Sequence, residues 1–159
     1  MAEAYIVAAT RTAGGRRGGR GGGRGIRAAR RRTRVNARVA AAHVGDVPEG
    51  RQRVEGTAAR IGVPVADLLR APDGPRDRQL VYGEPVTVYE DRDGWSFLQA
   101  AKDGHSGYVP SSAVTAPFDA THWDSAPATH AYTGDDYKSP DSRPLSHDSR
   151  CQVTAVPRR

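Results

Sequence analysis

The chain is poor in several residues that would narrow its function at once. It has one cysteine (Cys151), one methionine and two lysines (Lys102 and Lys138) in 159 residues. A single thiol excludes an intrachain disulfide framework and a multi-cysteine zinc site. No apolar run approaches the roughly 18 residues of a helical membrane span. The opening MAEAYIVAATRTAGG carries an acid, Glu3, and too short an apolar stretch for a signal peptide. As written, the sequence is therefore expected to stay in the cytoplasm. Acids are missing from Arg11 to Arg38, which holds 11 arginines, whereas the stretch from Val39 to the end has 13 basic and 17 acidic residues. The formal net charge of +6 thus belongs to the N-terminal segment. It is no sign of a basic globular surface. With 18 glycines, 11 prolines and 37% apolar residues, a compact core is expected over only part of the length.

What the chain does have is a run of β-type alternation from Leu80 to Val114. Val86 and Val88 lie two apart and share one strand face, with Thr87 and Tyr89 on the other. Asp91-Arg92-Asp93-Gly94 reads as a turn with a glycine free to take positive φ. Trp95-Ser96-Phe97-Leu98 resumes the strand, with Trp95 and Phe97 on one side, and Asp103-Gly104 is a second hairpin signal. Gly107-Tyr108-Val109 follows as another strand, closed by Pro110 and two serines. Ile61-Gly62-Val63 and Ala66-Asp67-Leu68-Leu69 supply opening strands. Short strands at about ten-residue spacing predict a small all-β barrel.

The pairs Gly94-Trp95 and Gly107-Tyr108-Val109 resemble those of bacterial SH3-like barrels. With the lead-in from Val35, the region resembles the SH3-like targeting part of NlpC-type cell-wall cysteine peptidases, over about residues 35–159. An internal repeat lays Leu80–Val88 on Leu145–Val153, each copy preceded by an acidic, proline-containing loop. The second copy has Asp148 where the first has Gly83. The expected organisation is a start and disordered Arg/Gly-rich segment (1–34), a lead-in (35–56), an SH3-like barrel (57–117) and a truncated second SH3-like repeat (120–159). Half a barrel cannot close, so residues 120–159 are expected to be poorly ordered or loosely docked.

The resemblance implies binding of cell-wall peptides (peptidoglycan) without turnover, and a peptidase catalytic domain as a partner. SH3-like modules recognise peptides on aromatic-lined surfaces, which makes Tyr82, Tyr89, Trp95 and Tyr108 the candidate binding residues. For Trp95 and Phe97 the core is the favoured place, since a barrel this small can hardly do without burying them. No catalytic residue is assigned. Cys151 lies in Arg-Cys-Gln-Val, unlike the Asp-Cys-Ser-Gly-like turn of the peptidases, and aligns with Val86, a core-facing position. Free cysteine commonly packs as a small hydrophobe. His43, His105, His122, His130 and His147 fit neither a zinc finger nor an HExxH helix, so no metal is expected. No cofactor is expected either, since Gly23-x-Gly25-x-x-Ala28 lacks the preceding strand and following acid of a dinucleotide site.

Two other readings come from the N-terminus. Residues 5–10 read as a short buried strand, and YIVAATRTAGGRRGG resembles the opening of thiolases over residues 1–19. Ala8 and Ala13 depart from the usual acid and proline, and the thiolase cysteines and histidine are missing, which would make it an inactive remnant. The Gly/Arg run is low in complexity, with too little to bury for a stable fold. It offers RNA phosphates a salt-sensitive partner through Arg11 to Arg38 but lacks interleaved aromatics for base stacking.

Overall fold

The structure is a computed structural model, and it describes residues 5–6, 34–47, 49–134, 136 and 138–153. The strands are β1 (Tyr5–Ile6), β2 (Val39–Ala41), β3 (Gln52–Val54), β4 (Thr57–Ile61), β5 (Val65–Leu69), β6 (Arg76–Val81) and β7 (Pro85–Arg92). They continue with β8 (Trp95–Ala100), β9 (Ser106–Pro110), β10 (Val114–Thr115), β11 (His122–Trp123), β12 (Ala128–Tyr132), β13 (Asp141–Ser146) and β14 (Arg150–Cys151). A single 3-10 turn, Ser111–Ala113, joins β9 to β10, and no α-helix occurs among the described residues.

Seven strands form one antiparallel sheet in the order β10-β4-β7-β8-β9-β5-β6. The Tyr82 N–H extends the β5–β6 ladder to the Pro64 carbonyl, and the Gly83 N–H then donates to the Ile61 carbonyl, which ties the turn after β6 to the end of β4. This is the SH3-like barrel expected from the alternation. Asp93 and Gly94 form the two-residue hairpin loop between Arg92 and Trp95, both with positive φ (53° and 78°). Asp and Gly suit that geometry because it matches the twist of the flanking strands. The inner face packs Ile61, Leu68, Leu80, Val86, Leu98, Ala100 and Val109 into one core. Alternation supplies this face directly, since Leu98 and Ala100 point inward while Phe97 points out.

The outer face is not left to solvent. β2 and β3 pair in parallel, Val39 with Gln52 through Ala41 with Val54. They lie over the barrel, so that Val39 and Ala41 pack with Tyr89 and Phe97 in a second cluster flanked by Val44, Val54 and Tyr108. The Arg53 guanidinium donates to the carbonyls of Ala42 (2.9 Å), Val44 (2.7 Å) and Gly45 (3.1 Å), holding the loop between the two strands.

Residues 121–153 repeat the backbone of the barrel's first half. Ala59↔Val86 and Arg60↔Pro85 between β4 and β7 recur as His122↔Cys151 and Trp123↔Arg150 between β11 and β14. The β5–β6 hairpin has its bulge between Leu68 and Leu69, and the β12–β13 hairpin between Ala131 and Tyr132. The turn bonds also recur: Ile61 N–H to Glu84 O as Asp124 N–H to Ser149 O, and Gly83 N–H to Ile61 O as Asp148 N–H to Asp124 O. Gly83 (φ 73°) and Asp148 (φ 70°) share the left-handed conformation, which Asp tolerates through its short polar side chain. Leu145 and Ala131 are buried in the places of Leu80 and Leu68.

The described residues of this stretch form paired strands and contact the barrel. Leu145 and Ser149 are buried, and the Arg150 N–H donates to the Tyr82 carbonyl at 2.8 Å. Of the strand expected over residues 5–10, Tyr5–Ile6 is β1, paired with β12. The rest of it, and the Gly/Arg run through Thr33, lie outside the described residues.

Candidate functional site

The outer face of the barrel gathers three of the four candidate binding residues. Tyr89 sits at the irregularity between Val88 and Glu90 in β7, which turns its ring onto Phe97, 6.3 Å away between centroids. Phe97 in turn lies 5.1 Å from Tyr108 of β9, directly opposite it in the strand register. Tyr89 and Phe97 are buried, whereas Tyr108 and Trp95 are half-buried. Phe97 therefore serves as core of the second cluster, and Trp95 belongs to neither core. Tyr108 and Trp95 are the aromatics of this face that an approaching ligand can reach.

Tyr82 stands apart. Its ring stacks on Phe118 (6.1 Å) and lies under the Arg143 guanidinium (4.7 Å), at the junction between the barrel and residues 121–153. The Arg60 guanidinium also lies over the Phe118 ring, at 4.7 Å. The structure thus separates Tyr82 from Tyr89, Trp95 and Tyr108.

Polar groups frame the aromatic face. Glu90 accepts from Arg38 through both carboxylate oxygens (2.6 and 2.9 Å) and from the Asn36 amide (2.7 Å). The Arg38 hydrogen bond, chiefly, holds the Glu90 carboxyl below its ordinary range despite partial burial. Asn36 also accepts from the backbone N–H groups of Arg38 and Val39 (both 2.7 Å), which fixes the entry to β2. Burial pushes the Tyr108 hydroxyl above its ordinary range, opposed by a hydrogen bond with Asn36 and the nearby Arg38 charge. Further along, Asp91 accepts from the Ser111 hydroxyl at 2.6 Å. The outer face thus carries the half-buried Trp95 and Tyr108, with the bidentate Arg38–Glu90 ion pair on the neighbouring strand β7.

The sequence offered no signal for Asn36, Arg38 and Glu90 as neighbours, since 52 residues separate the members of the ion pair. Two of the arginines in the stretch from Arg11 to Arg38 are described. Both are engaged with the barrel, Arg38 with Glu90 and Arg34 with Gln99, and Arg34 also meets His43 of the lead-in. Cys151 is half-buried on β14, and His122 is its cross-strand register partner. Burial, with the Asp124 carboxylate nearby, pushes the thiol pKa up, the opposite of what a nucleophile requires. Among the described residues, no group of three or more His, Cys, Asp or Glu is placed to hold a metal. None of their helices is long and apolar enough to cross a membrane.

Residues 68–114 match the family model of the bacterial dipeptidyl-peptidase SH3 domain. No curated protein matches the chain. The matched stretch runs from β5 through the 3-10 turn to β10 and includes Tyr82, Tyr89, Trp95 and Tyr108. This part of the chain is an SH3-like region of the kind found in peptidase-associated proteins.

Proposed function

We propose that this chain is a non-catalytic binding module for cell-wall peptides, of the kind that accompanies NlpC-type cysteine peptidases and positions a catalytic domain carried elsewhere. The observation that supports it most is the half-buried Tyr108, packed on Phe97 at the outer face of a barrel whose residues 68–114 match the SH3 domain of bacterial dipeptidyl-peptidases, with Trp95 two residues before Phe97 on the same strand face. A peptide laid along β8 and β9 would pack on Trp95 and Tyr108. The Glu90–Arg38 pair would lie at one end, able to meet the amine and carboxylate groups that cell-wall peptides carry. Tyr89 and Phe97 would support the peptide-facing rings from below, packed against Val39, Ala41, Val44 and Val54 of the lead-in. Tyr82, set in the junction, stabilises the contact between the two units and does not touch the peptide.

The test is calorimetric titration of the full chain with soluble muropeptides, wild type against Tyr108→Ala. The variant is expected to bind about tenfold more weakly or worse, a loss of ~1.4 kcal/mol or more, with its circular dichroism retained. Equal binding by a folded variant would remove Tyr108 from the site. Hydrolysis of the peptide would overturn the non-catalytic reading.

A further inference from the structure

The unit formed by residues 121–153 reproduces β4, β5, β6 and the start of β7, but β12 has a neighbour that the repeat itself does not supply. In the barrel, β5 is flanked on one side by β6 and on the other by β9, with Leu69 opposite Tyr108. In the second unit, β12 is flanked by β13 and by β1, with Tyr132 opposite Tyr5 and Ala131 opposite Ile6. Leu69 and Tyr132 are equivalent, each being the residue just past the hairpin bulge. β1 therefore lies against β12 at the register point where β9 lies against β5, and in the same antiparallel sense. The residue types recur as well: Tyr5-Ile6 in one place, Tyr108-Val109 in the other.

We propose that the N-terminal strand is a donated strand, filling within the same chain the β9 place of the second SH3-like unit. The physical need is clear. A hairpin alone is marginal in water, and a third strand is generally required for independent stability. Without β1, one edge of β12 would present a row of unpaired N–H and C=O groups, a template open to any extended segment. With it, β1-β12-β13 is a three-stranded sheet. Tyr5 and Ile6 are then part of the second unit's architecture.

Hydrogen exchange on the full-length chain tests this, comparing wild type with the double variant Tyr5→Pro/Ile6→Pro, since proline cannot donate to a ladder. Exchange at Ala128–Tyr132 is expected to rise about tenfold or more, while that of Trp95–Pro110 stays unchanged. A synthetic peptide of residues 1–10 added to the variant is expected to restore the protection. Unchanged exchange at Ala128–Tyr132 would overturn the proposal, as would a rise shared equally by both units. Wild-type protection that falls on hundredfold dilution would overturn the intrachain assignment and give the strand to a second copy of the chain.

Discussion

Gly83→Asn is expected to release residues 121–153 from the barrel while leaving the barrel itself close to its original stability. Gly83 is constrained twice. Its φ of 73° lies in the left-handed region, where an ordinary L residue loses about 1–2 kcal/mol. In addition, a Cβ at this position would come within 2.0 Å of the Arg150 carbonyl oxygen and 2.8 Å of its carbon. These are backbone atoms of β14 and cannot swing aside as a side chain can. Asparagine tolerates the left-handed conformation, so Gly83→Asn isolates the steric effect. Gly83→Ala adds the conformational strain to it.

Displacing β14 also breaks the 2.8 Å bond from the Arg150 N–H to the Tyr82 carbonyl. It carries Asp148 away from Lys102 (2.7 Å) and Arg143 away from the Tyr82 ring. Amide exchange at His122–Trp123 and Arg150–Cys151 is expected to accelerate about tenfold. The barrel midpoint in urea should shift by less than the equivalent of about 1 kcal/mol. Unaltered exchange at those four residues in Gly83→Asn would show that the two units do not meet at this turn.

Phe97→Ala is expected to have the largest effect on stability, about 3–5 kcal/mol. Phe97 is 4% exposed and is the ring that joins the outer-face aromatics to the lead-in segment, touching Tyr89 on one side and Tyr108 on the other. Removing it leaves a cavity under Val39 and Ala41, whose packing against the barrel depends on the same cluster. Against a total stability of about 5–15 kcal/mol for a typical domain, this is a large fraction. Urea denaturation of the full chain measures it, and exchange over residues 34–54 should accelerate in the same variant. A loss below about 1 kcal/mol would mean that the lead-in does not pack on this face. Trp95, half-buried and outside both clusters, should cost far less when truncated.

These two positions also mark how far the sequence could be read. The barrel core was legible because alternation is a local signal. Val86, Leu98 and Val109 fall on the inner face in the register that period-two reading assigns. Asp93-Gly94 declared its hairpin through turn chemistry. The place of Phe97 was half legible: its strand face followed from the alternation, but nothing local said what would cover that face. β2 and β3 have only three residues each and pair in parallel around a ten-residue connection, so neither shows a period long enough to detect. The Arg38–Glu90 pair is likewise a product of tertiary placement.

Tyr82 and Tyr89 lie seven residues apart in sequence and on different surfaces in space. The turn at Gly83 sends one to the junction between units, and β7 carries the other to the outer face. The four candidate aromatics therefore do not share one surface, since Tyr82 packs with Phe118 and Arg143 where the second unit meets the barrel. The match of Tyr5 to Tyr108 was hidden for a related reason. A donated strand carries no sequence continuity with the unit it completes, and only the pairing register reveals it.

The most direct measurement for the peptide-binding role is nuclear magnetic resonance titration of the full chain with soluble muropeptides, following backbone amides and the aromatic rings. The expected result is a compact set of shifts at Trp95, Tyr108, Glu90 and residues 36–41, with the Tyr82 and Phe118 signals unmoved and the peptide intact at the end. Shifts confined to residues 11–34, or none at millimolar peptide, would contradict a peptide-binding barrel.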